Sequence, residues 1–225
     1  MHIPVLEFFI DNTQSEDFAQ KRILEVGSKY VNGSVRPLIE KFYSPKEYVG
    51  VDIEAGRYVD VVLPAEKIAE HFGPESFDVL ITTEMLEHVK DWRATINGMK
   101  SVVKRGGHLY LTTRSRGMEY HAFPYDFWRY EIEEIAAIFA DFEIINLQKD
   151  SHGVFLKAKK PQNYKPTDLS EIPLYSMVLG KPTKDIPNFE DMPLMRKLWV
   201  RFFNSRAKNY LPPVLASKIK GPYLT

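Results

Sequence analysis

The stretch Arg22-Ile-Leu-Glu-Val-Gly-Ser-Lys-Tyr-Val-Asn-Gly-Ser34 decides the fold. Ile23, Leu24 and Val26 make a short apolar run, and Gly27 ends it. Asn32-Gly33-Ser34 then supplies turn and N-cap chemistry ahead of Val35, Leu38 and Ile39. The reading is a buried strand, a glycine-bearing loop and the first turn of a helix. Such a junction brings backbone N–H groups close to a ligand, although glycine loops also serve as plain turns. Downstream, Tyr48-Val-Gly-Val-Asp52 is a second apolar run that ends in an acid. A carboxylate about 25 residues after a glycine loop can accept both hydroxyls of a ribose; otherwise it caps a loop.

Working outward, helix and strand alternate. A helix is expected from Ser34 to Phe42, with strands at 48–52 and 58–62. A helix over 64–72 follows, then a strand at 77–81 and a helix over 92–103 with Asp91 as N-cap. A turn at Lys104-Arg-Gly-Gly107 leads to a strand at 108–112. After a long loop over 114–130 come a helix over 131–139 and strands at 142–147 and 154–159. This pattern predicts an α/β protein with a mainly parallel sheet covered by helices on both faces. Ligands in such sheets sit at the carboxyl ends of the strands. The glycine loop, Asp52, the 82–88 stretch and the 113–130 loop would share that edge.

Three regions are expected. Residues 1–21 form an arm or a lid, residues 22–160 the α/β domain, and residues 161–225 an extension. The extension holds six prolines between Pro161 and Pro193, then seven basic residues and no acid from Arg196 to Lys220. It reads as a proline-rich wrap followed by a basic amphipathic helix on Leu194, Leu198, Trp199 and Phe202. That helix packs on the domain, or forms a homodimer contact, or touches an anionic lipid surface peripherally. The formal net charge is zero, so no global field recruits nucleic acid or membrane. The absence of cysteine excludes a disulfide scaffold, a thiolate metal site and a cysteine nucleophile. With no basic, apolar leader at the start and no run of some 20 apolar residues, the expected location is cytoplasmic.

Glu25-Val-Gly27 with Gly33, Val51-Asp52, Phe77-Asp78-Val79, Glu84-x-x-Glu87-His88 and Gly106-Gly107 before a strand together resemble the class I S-adenosylmethionine (SAM)-dependent methyltransferases, in particular the broad type 11 group. The resemblance covers roughly residues 20–160. It implies a Rossmann-like, seven-stranded, mostly parallel sheet, with SAM as cofactor. By the same resemblance Glu25 and Gly27 lie against the methionine part of SAM, with Ser28 and Gly33 also at the cofactor. Asp52 binds the ribose, Ile53 packs on the adenine, and Thr83 and Glu84 close the pocket floor. Two departures stand out. Ser28 to Asn32 replace the usual Gly-x-Gly-x-Gly loop, and Pro64-Ala65 sits where an adenine-facing acid is usual, leaving Glu66 as a substitute.

Methyl transfer from a sulfonium needs a nucleophilic oxygen or nitrogen about 3 Å from the methyl carbon and, often, a place for its proton. Glu84, Glu87 and His88 fall at i, i+3 and i+4, one face of a helical turn. Two carboxylates and an imidazole suit a divalent metal, Mg²⁺ or Mn²⁺ foremost. The same pattern resembles metal-assisted members of the family, the ubiquinone-pathway and small-RNA 2′-O-methyltransferases. His121 is the other candidate, as a base or as a further ligand, with His88 and Asp126 sharing the catalytic role. Tyr125, Trp128, Arg129 and Arg114 are the candidate substrate contacts, the rings for a sugar and the guanidiniums for an anion. The leading expectation is methylation of an oxygen, less so a nitrogen, on a small polar molecule such as a sugar or glycan precursor. The alternatives are a metal-dependent RNA 2′-O-methyltransferase and a non-catalytic binding protein.

Overall fold

The computed structural model describes residues 3–121 and 125–198. Among the described residues there are ten strands: β1 Arg22–Val26, β2 Glu47–Asp52, β3 Val61–Val62, β4 Phe77–Thr83, β5 Val103–Arg114, β6 Trp128–Arg129, β7 Glu143–Lys149, β8 Gly153–Lys159, β9 Leu174–Ser176 and β10 Lys181–Thr183. The α-helices bounded within the described residues are α1 Ile3–Asn12, α2 Ser15–Phe18, α3 Arg36–Tyr43, α4 Ile68–Phe72, α5 Trp92–Val102 and α6 Ile132–Ile138. The main sheet has seven strands in the order β3-β2-β1-β4-β5-β8-β7. Pairing is parallel from β3 to β5, and β8 runs antiparallel between β5 and β7. This is the Rossmann-like, mostly parallel sheet that the alternation and the resemblance predict.

The reasons are local. Ile23, Leu24, Glu25 and Val26 are all buried, an unbroken run that suits a central strand covered on both faces. Helices occupy those faces as two cores. One gathers Trp92, Ile96 and Met99 of α5 with Ile135 and Ile138 of α6. The other gathers Phe8, Phe9, Phe18 and Ile39 of α1, α2 and α3. Residues 3–18 therefore form a packing arm. Phe8 meets Phe155 with ring centroids 5.5 Å apart, and Phe9 stacks on Tyr110.

Several boundaries move. The third strand shrinks to two residues, because Tyr58 takes a left-handed φ of +71° and the Asp60 carboxylate turns back to accept from Gly50 N (2.7 Å) and Arg36 (2.7 Å). The expected 104–107 turn lies inside β5, where the register against β4 shifts between Phe77 and Val79. Residues 64–72 split into a 3-10 turn, Ala65–Lys67, and α4.

The extension is more than a wrap. β9 and β10 form a hairpin, and β9 pairs antiparallel with β6, building a second, three-stranded sheet. A helical turn at 194–198 follows; the rest of the expected basic helix lies outside the described residues. Among the described residues no helix is long and apolar enough to cross a membrane.

The buried rings of the arm make a stability prediction. Phe9→Ala should cost about 3–5 kcal/mol, whereas Ile10→Ala, one residue on and exposed, should stay within about 0.5 kcal/mol. Urea unfolding midpoints at constant m-value report both.

Candidate functional site

β1 and β4 are adjacent and parallel, yet their connections leave to opposite sides of the sheet. A crevice opens where such loops diverge. Here it is a cleft of about 470 Å³, bordered by Glu25, Gly27, Ser28, Gly33, Asp52, Ile53, Thr83 and Glu84. All eight residues expected around the cofactor meet in this one place. A second hollow of about 290 Å³ adjoins it and shares Gly27, Asp52, Ile53, Met85 and His88. Leu63, Ala65 and Glu66 also line it, Glu66 being the substitute expected for the usual adenine-facing acid.

The glycine loop works differently from the expectation. Its N–H groups are not bare: Gly27 and Ser28 both donate to Val51 O (2.9 and 3.1 Å), and Tyr30 donates to Arg57 O (3.0 Å). Lys29 N donates to Asp52 Oδ2 (3.1 Å) and Glu54 N to Oδ1 (3.1 Å), so the Asp52 carboxylate is locked in orientation at the cleft edge. Gly27 is needed for space and conformation. Its φ is +83°, and a Cβ there would stand 2.6 Å from Met85 Cγ. Ser28 Oγ is buried at the cleft wall with no hydrogen-bond partner, and Ile53 is 70 % exposed beside it. An unspent hydroxyl, an oriented carboxylate and an exposed apolar face fit an adenosyl group with a polar tail. Glu25 lies deeper and accepts from Tyr48 OH (2.8 Å). Burial pushes its carboxyl up to about 7 despite that bond.

On the other side of the cleft the chain turns sharply. Glu84 adopts a left-handed φ of +55°, and a 3-10 turn, Leu86–His88, follows. Glu84 therefore does not share a helical face with Glu87 and His88. It accepts from Thr112 Oγ1 (3.2 Å) and pairs with Arg114. Burial, with Glu87 nearby, pushes its carboxyl up to about 7, although Arg114 opposes this. Glu87 is wholly buried. Its Oε2 accepts from Thr113 Oγ1 (2.9 Å), while Oε1 has no hydrogen-bond partner.

The groups that do converge are Glu87, His88 and His121, whose ligand atoms lie within 4.8 Å of one another. The expected Glu84/Glu87/His88 set is thus corrected, with His121 in the place of Glu84. The imidazoles lie edge to face, 4.8 Å apart. His88 Nδ1 donates to the carbonyl of Tyr125 (2.6 Å), since a carbonyl can only accept; Nε2 is left 3.9 Å from Glu87 Oε1. His121 Nδ1 is 3.3 Å from Asp126 Oδ2, and that carboxylate outweighs burial to raise the imidazole above its ordinary value.

Three other expected residues sit behind the site. Asp126 is fully buried and borders neither hollow; it touches His121 alone of the three converging groups. Arg129 is not a substrate contact. All five of its N–H groups are spent, on both Asp126 oxygens (2.5 and 2.8 Å) and on the carbonyls of Met118, Glu119 and Trp128. Trp128 is core, its indole N–H donating to Lys90 O (3.0 Å). Tyr125 is 66 % exposed at the hollow's rim, and Arg114 lines the cleft. Met85, Leu63 and Met118 also border the site and were missed, because apolar side chains carry no chemical signature in a sequence.

Against known proteins, residues 5–149 match the model of a methyltransferase domain family. The chain belongs to that family, the class I SAM-dependent methyltransferases. It is 31 % identical over 147 residues to the ubiquinone biosynthesis O-methyltransferase of Pseudomonas entomophila, covering 65 % of this chain and 52 % of that protein. It is 28 % identical over 127 residues to the protein of that name from Vibrio atlanticus, covering 52 % and 53 %. The chain thus spans about half the length of the curated relatives it matches. In fold it is similar to the 1,6-didemethyltoxoflavin N1-methyltransferase of Burkholderia thailandensis, solved with 1,6-didemethyltoxoflavin and S-adenosylhomocysteine bound. The TM-score is 0.51 at 12 % identity, covering 71 % of this chain and 78 % of that one.

Removing Arg129 alone strands a buried carboxylate. Arg129→Met should cost about 3–5 kcal/mol, and the double change Asp126→Leu/Arg129→Met should recover most of it. A double-mutant cycle in urea measures the coupling.

Proposed function

We propose that this methyltransferase-family protein transfers the methyl group of SAM to a hydroxyl oxygen of a small molecule, with a divalent metal held by Glu87, His88 and His121. The observation that supports it is a single cleft with two chemically distinct walls. One wall carries six of the cofactor-side residues, Glu25, Gly27, Ser28, Gly33, Asp52 and Ile53; the other carries Thr83 and Glu84 together with the Glu87 carboxylate and the imidazoles of His88 and His121. The relatives named for O-methylation favour oxygen over nitrogen.

SAM supplies an activated methyl group. Around it Asp52 would hold the ribose hydroxyls, and Ile53, Leu63 and Ala65 the adenine. Glu25, with Ser28, would face the charged amino-acid end. The Glu87 carboxylate with the imidazoles of His88 and His121 would form a donor set of one carboxylate and two imidazoles, which suits Mn²⁺ or Zn²⁺ better than Mg²⁺. Such an ion supplies Lewis acidity toward an acceptor hydroxyl. Tyr125 O and Asp126 stand behind the imidazoles and fix their tautomers, as outer partners of metal-binding histidines do. Met85 and Met118 present apolar surface that limits water at the reacting atoms.

A second, metal-free reading rests on the raised basicity of His121: Nδ1, steadied by Asp126, leaves Nε2 to take the acceptor proton. The sugar reading loses Trp128 and Arg129, both occupied in the core. The RNA reading has no support from a chain of zero net charge.

Calorimetry with S-adenosylhomocysteine should show micromolar binding, weakened about tenfold or more by Asp52→Ala, an effect worth about 1.4 kcal/mol or more. Absence of binding to the wild type overturns the proposal. Mn²⁺ should bind the chelator-treated protein and be lost in Glu87→Gln; wild type that binds no Mn²⁺ leaves the His121 base reading.

Glu25 gives a pH test with two opposite signs. Its carboxyl is raised in the folded state, so its contribution to apo stability is present below the unfolded value of 4.5 and lost as pH rises through about 7. The ammonium of the ligand prefers the ionised form. From pH 6 to 8 the apo Tm should therefore fall while affinity for S-adenosylhomocysteine rises. Glu25→Gln should flatten the affinity profile and part of the Tm profile, the remainder coming from Glu84, also raised to about 7, and from His121, which Asp126 holds above its ordinary value.

A further inference from the structure

Residues 161–198 contribute no side chain to either hollow among the described residues, yet they reach the acceptor wall through backbone. Arg196, at the 194–198 turn, is buried, and its Nε donates to Met177 O (2.6 Å). Met177 N donates to Phe127 O (2.7 Å), and Phe127 N donates to Glu87 O (2.8 Å). Three short bonds in series thus join a residue 109 positions downstream to the backbone of the carboxylate residue facing the two histidines. The ladder between β9 and β6 continues the same contact, pairing Ser176 with Trp128 and Tyr175 with Arg129. Arg93, one residue into α5, ties down the extension from the other side through the carbonyls of Leu169 (2.8 Å) and Ile172 (2.9 Å).

We infer that Arg196 is a positioning residue for Glu87, acting through Met177 and Phe127, and that the extension is thereby a structural part of the acceptor wall. This rests on the reading of Glu87 as an acceptor-side group. A 3-10 turn of three residues has few bonds of its own to hold a buried carboxylate in place. The Phe127 bond supplies one from outside, and bonds in series polarise and steady one another. The cofactor wall has no such dependence, since Gly27, Ser28 and Asp52 are fixed by bonds within 26–54.

The test uses the full chain with Arg196→Met, Arg196→Lys and Met177→Pro, the last removing the N–H donated to Phe127. Three quantities are read: native-state exchange of the Phe127 amide, affinity for Mn²⁺ alone, and affinity for S-adenosylhomocysteine. In Arg196→Met the Phe127 amide should exchange at least about tenfold faster and Mn²⁺ should bind about tenfold more weakly, the size expected for loss of an outer-shell support. S-adenosylhomocysteine should hold within about twofold. Arg196→Lys should fall between, and Met177→Pro should match Arg196→Met. Unchanged Phe127 exchange in a folded variant overturns the relay, as does faster exchange with Mn²⁺ affinity intact. Should Arg196→Met not fold, Met177→Pro decides. Should wild type bind no Mn²⁺, the metal reading falls alone and the Phe127 exchange decides the relay.

Discussion

One guanidinium faces two carboxylates, Glu87 buried and Glu84 half-buried. Arg114, at the end of β5, pairs with Glu84, and its Nε lies 3.8 Å from Glu87. Two negative charges and one positive charge in a space shielded from water cannot all be satisfied. The imbalance shows in Glu84, whose carboxyl is held up near 7, and in Glu87 Oε1, which has no hydrogen-bond donor. Most of what is distinctive about the cleft follows from that deficit of positive charge. It can be met by a proton, by protonated imidazoles or by a bound cation, and His88 and His121 stand where any of these would be shared. A cofactor that itself carries a sulfonium and an ammonium enters a field already arranged for positive charge.

The two walls are built by different means. The cofactor wall comes from strand ends, so its geometry is inherited from the sheet. Val51 O receives two loop N–H groups and Asp52 two more, and their positions are set once β1 and β2 pair in register. The opposite wall comes from a 3-10 turn, whose own backbone bonds are His88 N to Met85 O and Val89 N to Leu86 O, and from a loop. Much of the loop's order comes from side chains. Arg129 gathers Asp126 and three carbonyls, and Asp126 takes the backbone N–H of His121 (2.8 Å). Buried ionic hubs of this kind add little net stability against an apolar equivalent, but they define one arrangement of the chain.

That contrast explains what could be read from the sequence. The succession of strands and helices, the mainly parallel sheet and the meeting of eight named positions at one cleft were legible. Each depends on a short-range pattern: an apolar run, a glycine, an acid at the strand end. Glu84, Glu87 and His88 were seen as one face of a helical turn because i, i+3 and i+4 spacing implies it. The left-handed φ at Glu84 breaks that geometry, and nothing in the type of residue 84 announces it. Arg129 and Trp128 looked like substrate contacts because charged and aromatic residues in a long loop so often are. Their burial depends on β9, some 45 residues later, and pairing at that distance leaves no local trace. The proline-rich composition of 161–193 pointed away from strands, whereas Pro182 sits in β10, an edge strand that tolerates a missing donor.

If the sheet fixes only the cofactor wall, a change of acceptor must come from segments outside the sheet, and those segments need a source of rigidity. A turn and a loop held only by themselves belong to the least stable part of a protein. Here the added hairpin lies against the loop that carries Asp126 to Arg129, and it pairs with β6 rather than with either edge of the main sheet. An extension that merely covered apolar surface could have docked on β7, where Ile144 and Ile145 remain exposed. Its attachment to the loop that carries Asp126 to Arg129, and not to that edge, links residues 161–198 to the backbone of Glu87.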